Sequence, residues 1–424
     1  METLTIELNN PRTLRSRIES YKTFNMKKHM NLLTVAALFF ASALVAPSCD
    51  NDDQKTFKVS FETDGGTTVD DQTVIPGGKV TKPADPTKIS HDFAAWYKEV
   101  ELTTEWNFDS DVVNADMTLY AKWIEREFAG IENISPENYP RVDGSSSTEP
   151  LNTLIACKLL GWSYKWEPYL LGNGIWRLIP NREDIPGNFF GERIKSSQTH
   201  NSIINLIDNQ TDIIISARKM SADEKSYAET LGVSLIETPI ALDALDFLLN
   251  KQNPINSLTV KQIQDIYKGN ITNWNKVGGA NEAIKPFIRN ANSGSQEMMK
   301  EIVMNNAGMP DWEVGYTDDE IIPTMAAVYT ELSMYQNGIC FTPHYYKEYI
   351  IRNAVGANDV KSIAINGIYS NANSIKNKTY PFVANVYVSI RSDLNRNSMA
   401  YKMYEWLQTK SGKDVIEESG YVPN

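Results

Sequence analysis

From Asn138 to the C-terminal end, short apolar runs alternate with segments in which apolar residues recur at helical spacing. The run Thr211–Ser216 has the length and composition of a buried strand, whereas Ile263 and Ile266 belong to a helical pattern. The longer strand-like run Tyr380–Ile390 could cross between two lobes. Strands that alternate with helices are typical of a layered α/β domain, so the pattern predicts an α/β fold here.

One strand-to-helix junction combines several groups that bind anions. The segment Arg289–Glu297 follows the strand-like run Ile284–Ile288 and contains Ser293, Gly294 and Ser295. The first N–H groups of a helix have no partner within it and carry the positive end of the helix dipole. The hydroxyls add donors, and the leading arginine can hold an oxyanion through two hydrogen bonds. The segment predicts an anion-binding loop; the alternative is an ordinary serine cap beside a surface arginine.

A second junction of the same kind lies earlier in the chain. Val142–Leu151 places Ser146, Ser147 and Thr148 just before a helical pattern. A serine-rich loop can also be a linker, but apolar segments flank this one closely on both sides. Two such helix starts in one chain predict two sides of a single anion-binding pocket.

The composition excludes some partners and leaves others open. The chain has 424 residues and a formal net charge of −12, which argues against broad nucleic-acid binding. An anion site remains possible, because a few aimed dipoles act at short range while distant surface charge is screened. The three cysteines and four histidines show no metal-ligand spacing, and Cys157 and Cys340 lie in apolar contexts typical of small buried residues. The sequence indicates no cofactor and no catalytic constellation.

The N-terminal region has the pattern of a bacterial lipoprotein signal. Residues 1–48 comprise an upstream extension, a basic segment Met26–Met30 and an apolar run too short for a stable membrane span. Small residues then precede Cys49, which resembles the lipidated cysteine of a lipoprotein cleavage box and would anchor the chain in the cell envelope. A plain secreted protein is the alternative. The acidic segment 49–55 is either a solvated tether or a surface-export signal, so both periplasm-facing and surface-exposed locations stay open.

Residues 56–123 form a separate β-rich module. Asp64–Gly66 and Pro76–Gly78 are turn signals, and Met117–Trp123 is a strand-like, aromatic-rich segment. The order of these segments resembles the internalin-type B-repeat, also called the Listeria–Bacteroides repeat. The resemblance implies a compact β-grasp-like module that acts as a spacer or an adhesive unit. Residues 124–137 are predicted to be a charged linker.

An aromatic insert interrupts the α/β pattern. Gly161–Arg177 contains Trp162, Trp166 and Trp176. Large aromatic side chains dominate protein cores, but exposed patches of them also mark binding surfaces. The composition favours a patch in the lobe core and leaves a sugar- or peptide-binding surface as the alternative.

The region 138–424 resembles the phosphate-binding substrate-binding proteins of ABC importers, the PstS family. Five segments carry the resemblance in the family's order: Asp143–Pro150, Asp212–Arg218, Ile266–Gly279, Arg289–Ser295 and Ser411–Pro423. It implies a bilobal type II periplasmic-binding fold with lobe 1 at about 138–240 plus 381–424 and lobe 2 at about 241–380. Crossing strands near Pro239–Ala241 and Tyr380–Phe382 would form the hinge.

The same resemblance implies the ligand contacts. The expected ligand-binding residues are Ser146, Ser147, Thr148, Ser216, Arg218, Arg289, Ser293, Gly294 and Ser295. Glu149 could add its backbone N–H, and Thr199 falls near another donor of the family. Ala217 stands where well-studied members have an aspartate that accepts the proton of hydrogen phosphate. The missing carboxylate leaves the exclusion of sulfate open, because like-charge repulsion would otherwise enforce it.

The resemblance implies a monomeric receptor without catalysis. Its expected partners are inorganic phosphate or a related oxyanion and an ABC permease, with membrane contact only through the lipid anchor. The alternative is an adhesive or sensory surface protein that keeps the fold and binds another ligand. A hydrolase is disfavoured because the sequence has no metal cluster and no nucleophile–base motif.

Overall fold

The computed structural model describes residues 55–168, 175–290, 293–305, 320–322, 324–351 and 356–424. The lipoprotein signal and Cys49 therefore lie outside the described residues. From Thr56 to Asn424 the chain forms one compact unit. Within the described ranges, no helix is both long and apolar enough to cross a membrane.

The N-terminal module is a four-stranded sheet with its own core. Its strands are β1 (Phe57–Glu62), β2 (Gln72–Val74), β3 (His91–Tyr97) and β4 (Met117–Glu125). The strand order is β2-β1-β4-β3; β1 runs parallel to β4, and the other two pairs are antiparallel. The buried residues of its core include Val59, Trp96, Trp106, Val113 and Leu119. The β-rich module that the sequence predicts is confirmed.

The remaining described residues form an α/β region. Its strands are β5 (Val142–Gly144), β6 (Tyr164–Pro168), β7 (Trp176–Pro180), β8 (Ile213–Ser216), β9 (Leu235–Asn250), β10 (Ser257–Leu258), β11 (Lys285–Pro286), β12 (Ile288–Arg289), β13 (Ile321–Ile322), β14 (Gly338–Pro343), β15 (Val360–Ser362), β16 (Ala364–Ile365), β17 (Val383–Arg391) and β18 (Val422–Pro423). Its helices are α1 (Glu149–Leu160), α2 (Phe189–Arg193), α3 (Thr199–Ile207), α4 (Ala222–Thr230), α5 (Val260–Tyr267), α6 (Gly294–Met298), α7 (Ala327–Met334), α8 (Ala372–Lys376), α9 (Met399–Trp406) and α10 (Lys410–Ser419). The predicted mixed α/β fold class is confirmed.

Strand β9 runs through the whole main sheet. It has 16 residues, and the sheet order is β11-β14-β9-β17-β8-β5, with β15 and β18 also paired to β9. Its first part, up to Ala244, pairs with β17, and its last part, from Leu245, pairs with β14 and β15. One continuous strand therefore connects the two halves of the sheet: the first half with β5, β8 and β17, and the second half with β11 and β14.

A β-bulge interrupts the pairing of β9 with β17. Val386 faces Ala241 and Tyr387 faces Pro239, which makes Ile240 the extra residue. A bulge bends its strand and increases the local twist. The bend lies at the position that the sequence predicts for one crossing strand of the hinge. The other crossing segment was expected to be strand from Tyr380, but β17 begins only at Val383.

The C-terminal strand β18 is tied to both β9 and the second half of the sheet. Val422 pairs with Leu242, and the ring of Tyr421 stacks on that of Tyr345 with centroids 3.8 Å apart. The hydroxyl of Tyr421 also donates to the carbonyl of Ser147 at 3.1 Å. Residues from distant parts of the chain therefore meet at the centre of the sheet.

Local sequence explains where several helices begin and end. The Ser221 hydroxyl accepts from the backbone N–H of Glu224, whose carboxylate accepts from Ser221 in return, and this capping box begins α4. Thr259 and Gln262 begin α5 in the same way. Gly161 ends α1 with φ of 71°, a left-handed conformation that a glycine adopts without steric cost.

Two large apolar clusters cover the main sheet. One contains buried residues between Leu242 and Ala384, among them Phe247, Phe341 and Phe382. The other joins residues of α1 and β17 to residues of α7 and β14, so the core is continuous across the two halves of the sheet. Trp162 belongs to this cluster and meets Phe189 edge-on at 4.8 Å, as the core interpretation of the aromatic insert predicts.

The N-terminal module packs directly against the α/β region. Arg126 donates to Asp414 of α10 at 2.7 Å and lies 3.4 Å from Asp92 of β3. Lys410, also on α10, pairs with Asp92 at 3.2 Å. The segment after β4 adds a hydrogen bond from the Trp406 indole to the carbonyl of Ala129 at 2.7 Å. The segment predicted to be a linker thus contacts α9 and α10 rather than running through solvent.

Candidate functional site

A polar cavity of about 380 Å³ lies where several predicted site residues meet. It brings together six of them: Ser146, Ser147, Arg289, Ser293, Gly294 and Ser295. The other lining residues are Ser145, Gln198, Thr199, His200, Asn201, Ala217, Asn290, Thr324, Met325, Pro343 and Tyr346. The two strand-to-helix junctions singled out in the sequence therefore face one cavity, which we call the first chamber.

Arg289 is the buried cation of the first chamber. It is 6% exposed at the end of β12, and its Nε donates to the carbonyl of Ile322 at 2.7 Å. Nη1 lies 3.5 Å from the Ser295 hydroxyl. Burial lowers the pKa of Arg289, while the Cys340 thiol and the Tyr346 hydroxyl act in the opposite direction. A buried guanidinium fixed in this way gains stability when an anion binds beside it.

Ser293 serves two purposes at the start of α6. Its hydroxyl accepts from the backbone N–H of Gln296 at 3.2 Å, which is the capping role that the alternative interpretation predicts. It also lines the first chamber, and a hydroxyl that accepts through its oxygen can still donate its proton. The five residues of α6 continue into a π-helical turn, Met299–Val303, so the helical segment extends beyond α6.

The opposite wall is built around the hydroxyl of Ser145. Its Oγ accepts from the backbone N–H of Ala217 at 2.9 Å and lies 2.8 Å from Oγ1 of Thr199. Gln198, just before α3, has φ of 70° and ψ of 167°, a conformation almost restricted to glycine. Such a backbone costs on the order of 1–3 kcal/mol, and strained residues of this kind cluster at functional sites.

The two walls approach each other most closely at Gly294. A Cβ atom at this position would lie 2.6 Å from Thr199 Oγ1 and 3.8 Å from the Ala217 Cβ atom. Only a residue without a side chain allows the start of α6 to come this near to α3. The glycine is therefore needed for the packing of α6 against α3.

Three predicted site residues do not line the first chamber. The Thr148 hydroxyl lies within hydrogen-bonding distance of the carbonyls of Ser145 and Ile215, at 3.0 and 2.7 Å. The Ser216 hydroxyl donates to the carbonyl of Arg218 at 2.8 Å. These hydroxyls instead stabilise the backbone that carries the wall.

Arg218 forms a buried ion pair instead of facing the cavity. It is 3% exposed and donates to both carboxylate oxygens of Glu224, at 2.7 and 2.9 Å. His200 lies 2.8 Å from the same carboxylate. Burial raises the pKa of Glu224, but the pairing with Arg218 outweighs it, so the net shift is downward. The expected contact of Arg218 with a ligand has no geometric support.

Ala217, which the family resemblance puts at the position of a proton-accepting aspartate, lines the first chamber. Among the described lining residues there is no aspartate or glutamate. Among the described lining groups, the proton of a bound anion could be accepted by a carbonyl, a hydroxyl or the His200 imidazole. The described lining therefore offers no carboxylate that could exclude sulfate by like-charge repulsion.

Several lining residues carried no signal in the sequence. Tyr346 and Thr324 enter from the second half of the sheet, outside every motif considered above. Gln198 and Asn201 flank the start of α3, where only a weak resemblance at Thr199 pointed to the site. Ser145 belongs to the same run of hydroxyl residues as Ser146, although it was not among the expected ligand-binding residues.

The described residues contain no group of three or more histidine, cysteine or acidic side chains that could hold a metal ion. Cys157 and Cys340 are buried free thiols, and burial raises the pKa of each to about 12. Both cysteines are therefore the small buried residues that the sequence predicts.

The described residues form an α/β fold with a polar cavity where the two strand-to-helix junctions meet. Residues 183–409 match a family described as the PBP superfamily domain, and the chain belongs to this superfamily. Residues 57–122 match the Listeria–Bacteroides repeat domain. The predicted family resemblance and repeat are both confirmed.

Several curated proteins and solved structures are similar to the chain. Phosphate-binding protein PstS of Borreliella burgdorferi is 23% identical over 211 residues, which cover 50% of this chain and 71% of the relative. PstS of Pseudomonas aeruginosa is 25% identical over 222 residues, covering 49% and 66%. The structure of an ABC-type phosphate transport receptor from Vibrio cholerae has 20% identity and a TM-score of 0.46, covering 67% of this chain and 98% of that one.

Two proteins of Evansella cellulosilytica match more strongly but over shorter stretches. They are 45% and 37% identical over 67 and 98 residues, or 16% and 22% of this chain. The chain spans only 8% and 15% of the length of these two relatives.

Proposed function

We propose that the chain is a lipid-anchored substrate-binding protein that captures inorganic phosphate in the first chamber and delivers it to an ABC importer without catalysis. The observation that carries the proposal is the buried guanidinium of Arg289 in a cavity lined by hydroxyls from five separate segments. The relatives named as phosphate-binding proteins support phosphate as the ligand.

Each lining group would have a distinct part in binding. Arg289 supplies charge and two-pronged donation, and the hydroxyls of Ser146, Ser147, Ser293 and Ser295 supply further donors. The backbone N–H of Gly294 adds a donor at the start of a helix, where the dipole favours an anion. Because the lining comes from both halves of the sheet, binding would draw them together by bending at the bulge in β9.

Thr148, Ser216 and Arg218 would act indirectly in this proposal. Their hydrogen bonds hold the loop after β5 and the turn after β8 in place. Substitutions there would change the positions of the lining groups rather than remove a ligand contact.

Calorimetric titration of the purified protein with phosphate and with sulfate tests the proposal. The Arg289→Ala variant should lose roughly 10- to 100-fold in phosphate affinity, because hydrogen bonds to charged groups contribute about 1.5–3 kcal/mol. Arg182, an exposed arginine that is not among the described lining residues, provides the matched control, and Arg182→Ala should bind as the parent does. Unchanged phosphate affinity in Arg289→Ala would remove this residue from the site.

A parent protein that binds neither anion would contradict phosphate capture and favour the adhesive or sensory alternative. The anchor has its own test, because Cys49→Ser should lose membrane association in cell fractionation while keeping phosphate affinity. Membrane association that survives this substitution would contradict lipidation at Cys49.

A further inference from the structure

A second cavity adjoins the first chamber. It encloses about 370 Å³ and shares three lining residues with the first: Ser146, Gln198 and Tyr346. We call it the second chamber. Pockets for organic ligands typically have volumes of about 300–1,000 Å³. The two adjoining chambers together reach well into this range, whereas an inorganic oxyanion would occupy a small part of it.

The lining of the second chamber differs in chemistry from that of the first. The aromatic insert supplies Trp176 and Arg177 from β7, and α1 supplies Glu149 and Pro150. Nη1 of Arg177 lies 4.0 Å from Oε1 of Glu149, and their side chains are 44% and 37% exposed. A cation and an anion that face the same space favour a neutral group with hydroxyls over a second charged group.

Tyr346 stands where the two chambers meet. Burial raises the pKa of its hydroxyl. Arg289, in the first chamber, lowers this pKa; in the second chamber Glu149 raises it and Arg177 lowers it. The Tyr346 hydroxyl therefore interacts electrostatically with charged groups of both chambers. A ligand that spans the two would pass beside this side chain.

We infer that the site takes a phosphomonoester of a sugar or polyol, with the phosphoryl group in the first chamber and the organic group in the second. The inference rests on the proposed function, since it uses the first chamber for the phosphoryl group. The hydroxyls of the organic group bond to Glu149 and Arg177, and its carbon skeleton packs on the Trp176 indole. This assigns the second chamber as the part of the site that selects the ligand.

Calorimetry with three probes tests the inference: inorganic phosphate, glucose 6-phosphate and glucose. Glucose 6-phosphate should bind the purified protein at least tenfold more tightly than inorganic phosphate, and glucose should show no binding. Arg177→Gln should lower the affinity ratio of glucose 6-phosphate to phosphate about tenfold, because it removes a charged donor from the second chamber only. Arg182→Gln, the matched control, should leave the ratio unchanged.

The outcomes separate this inference from the proposed function. Binding of inorganic phosphate with equal or weaker binding of glucose 6-phosphate overturns the inference and leaves phosphate capture standing. An unchanged ratio in Arg177→Gln also overturns it, even if both ligands bind. If neither inorganic phosphate nor glucose 6-phosphate binds, both the proposed function and the inference are overturned.

Discussion

At the scale of single residues, two buried arginines show how neighbours decide a role. Arg289 is the last residue of β12 and Arg218 lies just after β8, and the sequence assigned both to the ligand. The structure pairs Arg218 with the carboxylate of Glu224 and places Arg289 in the wall of the first chamber. Glu224 lies six residues from Arg218 on the capped start of α4, and no local pattern shows that its side chain turns back toward the strand.

The ion pair of Arg218 and Glu224 should matter for stability more than for binding. Arg218→Ala would leave the fully buried carboxylate of Glu224 without its main partner and should lower the free energy of unfolding by about 3–5 kcal/mol. Urea denaturation measures this loss, with Arg182→Ala as the control. A double variant, Arg218→Met with Glu224→Gln, should lose less than Arg218→Ala alone; an equal or larger loss would contradict the assignment.

Asp243 of β9 should give the stability a distinct dependence on pH. Its Oδ1 accepts from the backbone N–H groups of Tyr345 and Ala244 at 3.0 and 2.7 Å, yet burial raises its pKa from 3.8 to about 6. Between these values the folded protein holds more protons than the unfolded chain. This group therefore lowers the free energy of unfolding as pH rises from about 4 to 6, by about 3 kcal/mol in all.

Urea denaturation across pH 4 to 7 measures this effect. Asp243→Asn keeps an oxygen for both backbone donors and removes the titrating group, so the parent and the variant should differ in slope within that window. Parallel pH profiles for the two proteins would show that Asp243 does not titrate there.

Ala217 offers a direct test of anion selectivity. An aspartate introduced by Ala217→Asp would face the first chamber, whose described lining contains no other carboxylate. It would repel a fully deprotonated anion and accept the proton of hydrogen phosphate. We therefore expect sulfate affinity to fall at least tenfold relative to phosphate affinity in competition calorimetry. A parent protein that already binds no sulfate would show that selectivity comes from a group other than a carboxylate of the described lining.

At the scale of elements, the sequence predicted the type of structure better than its boundaries. The run Ile284–Ile288 was expected to be one buried strand, but the structure divides it into β11 and β12 on either side of Phe287. The division arises because β11 pairs with β14 while β12 pairs with β13. Apolar content shows that a segment is buried, but it does not show which strand lies beside it.

The candidate site was predictable to the extent that it lies in local motifs. Both hydroxyl-rich junctions line the first chamber, because the end of a strand and the start of a helix fix the direction of the short loop between them. Tyr346 was missed, since it enters from a π-helical turn whose position depends on the whole second half of the sheet. Gln198 was missed because its unusual backbone conformation has no signature in its side chain.

The close approach of α6 to α3 makes Gly294 the most sensitive backbone position of the site. In Gly294→Ala the new methyl group would meet Thr199 Oγ1 at 2.6 Å and hold the two walls apart. Phosphate affinity should fall at least tenfold, while the stability of the fold should change by less than about 1 kcal/mol because alanine favours a helix. Adding Thr199→Ala removes the opposing oxygen and should recover part of the affinity; failure to recover would contradict a steric cause.

At the scale of the whole molecule, the N-terminal module contacts both halves of the α/β region. Arg126 and Asp92 form ion pairs with α10, which follows β17 of the first half in the chain. On the other side, Lys376 of α8 lies 3.5 Å from the Thr87 hydroxyl. A spacer on a loose linker would show no such contacts. The sequence suggested a linker because charged residues are typical of solvated segments. In the structure, charged residues of this segment take part in the interface together with uncharged hydrogen bonds.

The docking of this module depends on Arg126. Its guanidinium contacts Asp414, Asp92 and the carbonyl of His91, so Arg126→Ala should loosen the interface without unfolding either part. Hydrogen exchange measured by mass spectrometry should become faster at β3 and at the start of α10, with the core of β9 unchanged. Lys413→Ala, an exposed substitution on α10, is the control. Equal exchange in Arg126→Ala and the parent would show that apolar contacts alone hold the module.

The pairing of β9 also governs the order in which the molecule can form. Strand β9 takes its neighbours β17 and β18 from far along the chain, with Leu242 beside both Asn385 and Val422. Contacts of such long sequence separation slow folding, because the loops between them must close first. A ribosome completes β9 long before it makes β18, so the sheet stays open during synthesis. If the chain is exported as proposed, this late assembly would leave it extended during passage through a secretion channel, and the first chamber would form only on the far side.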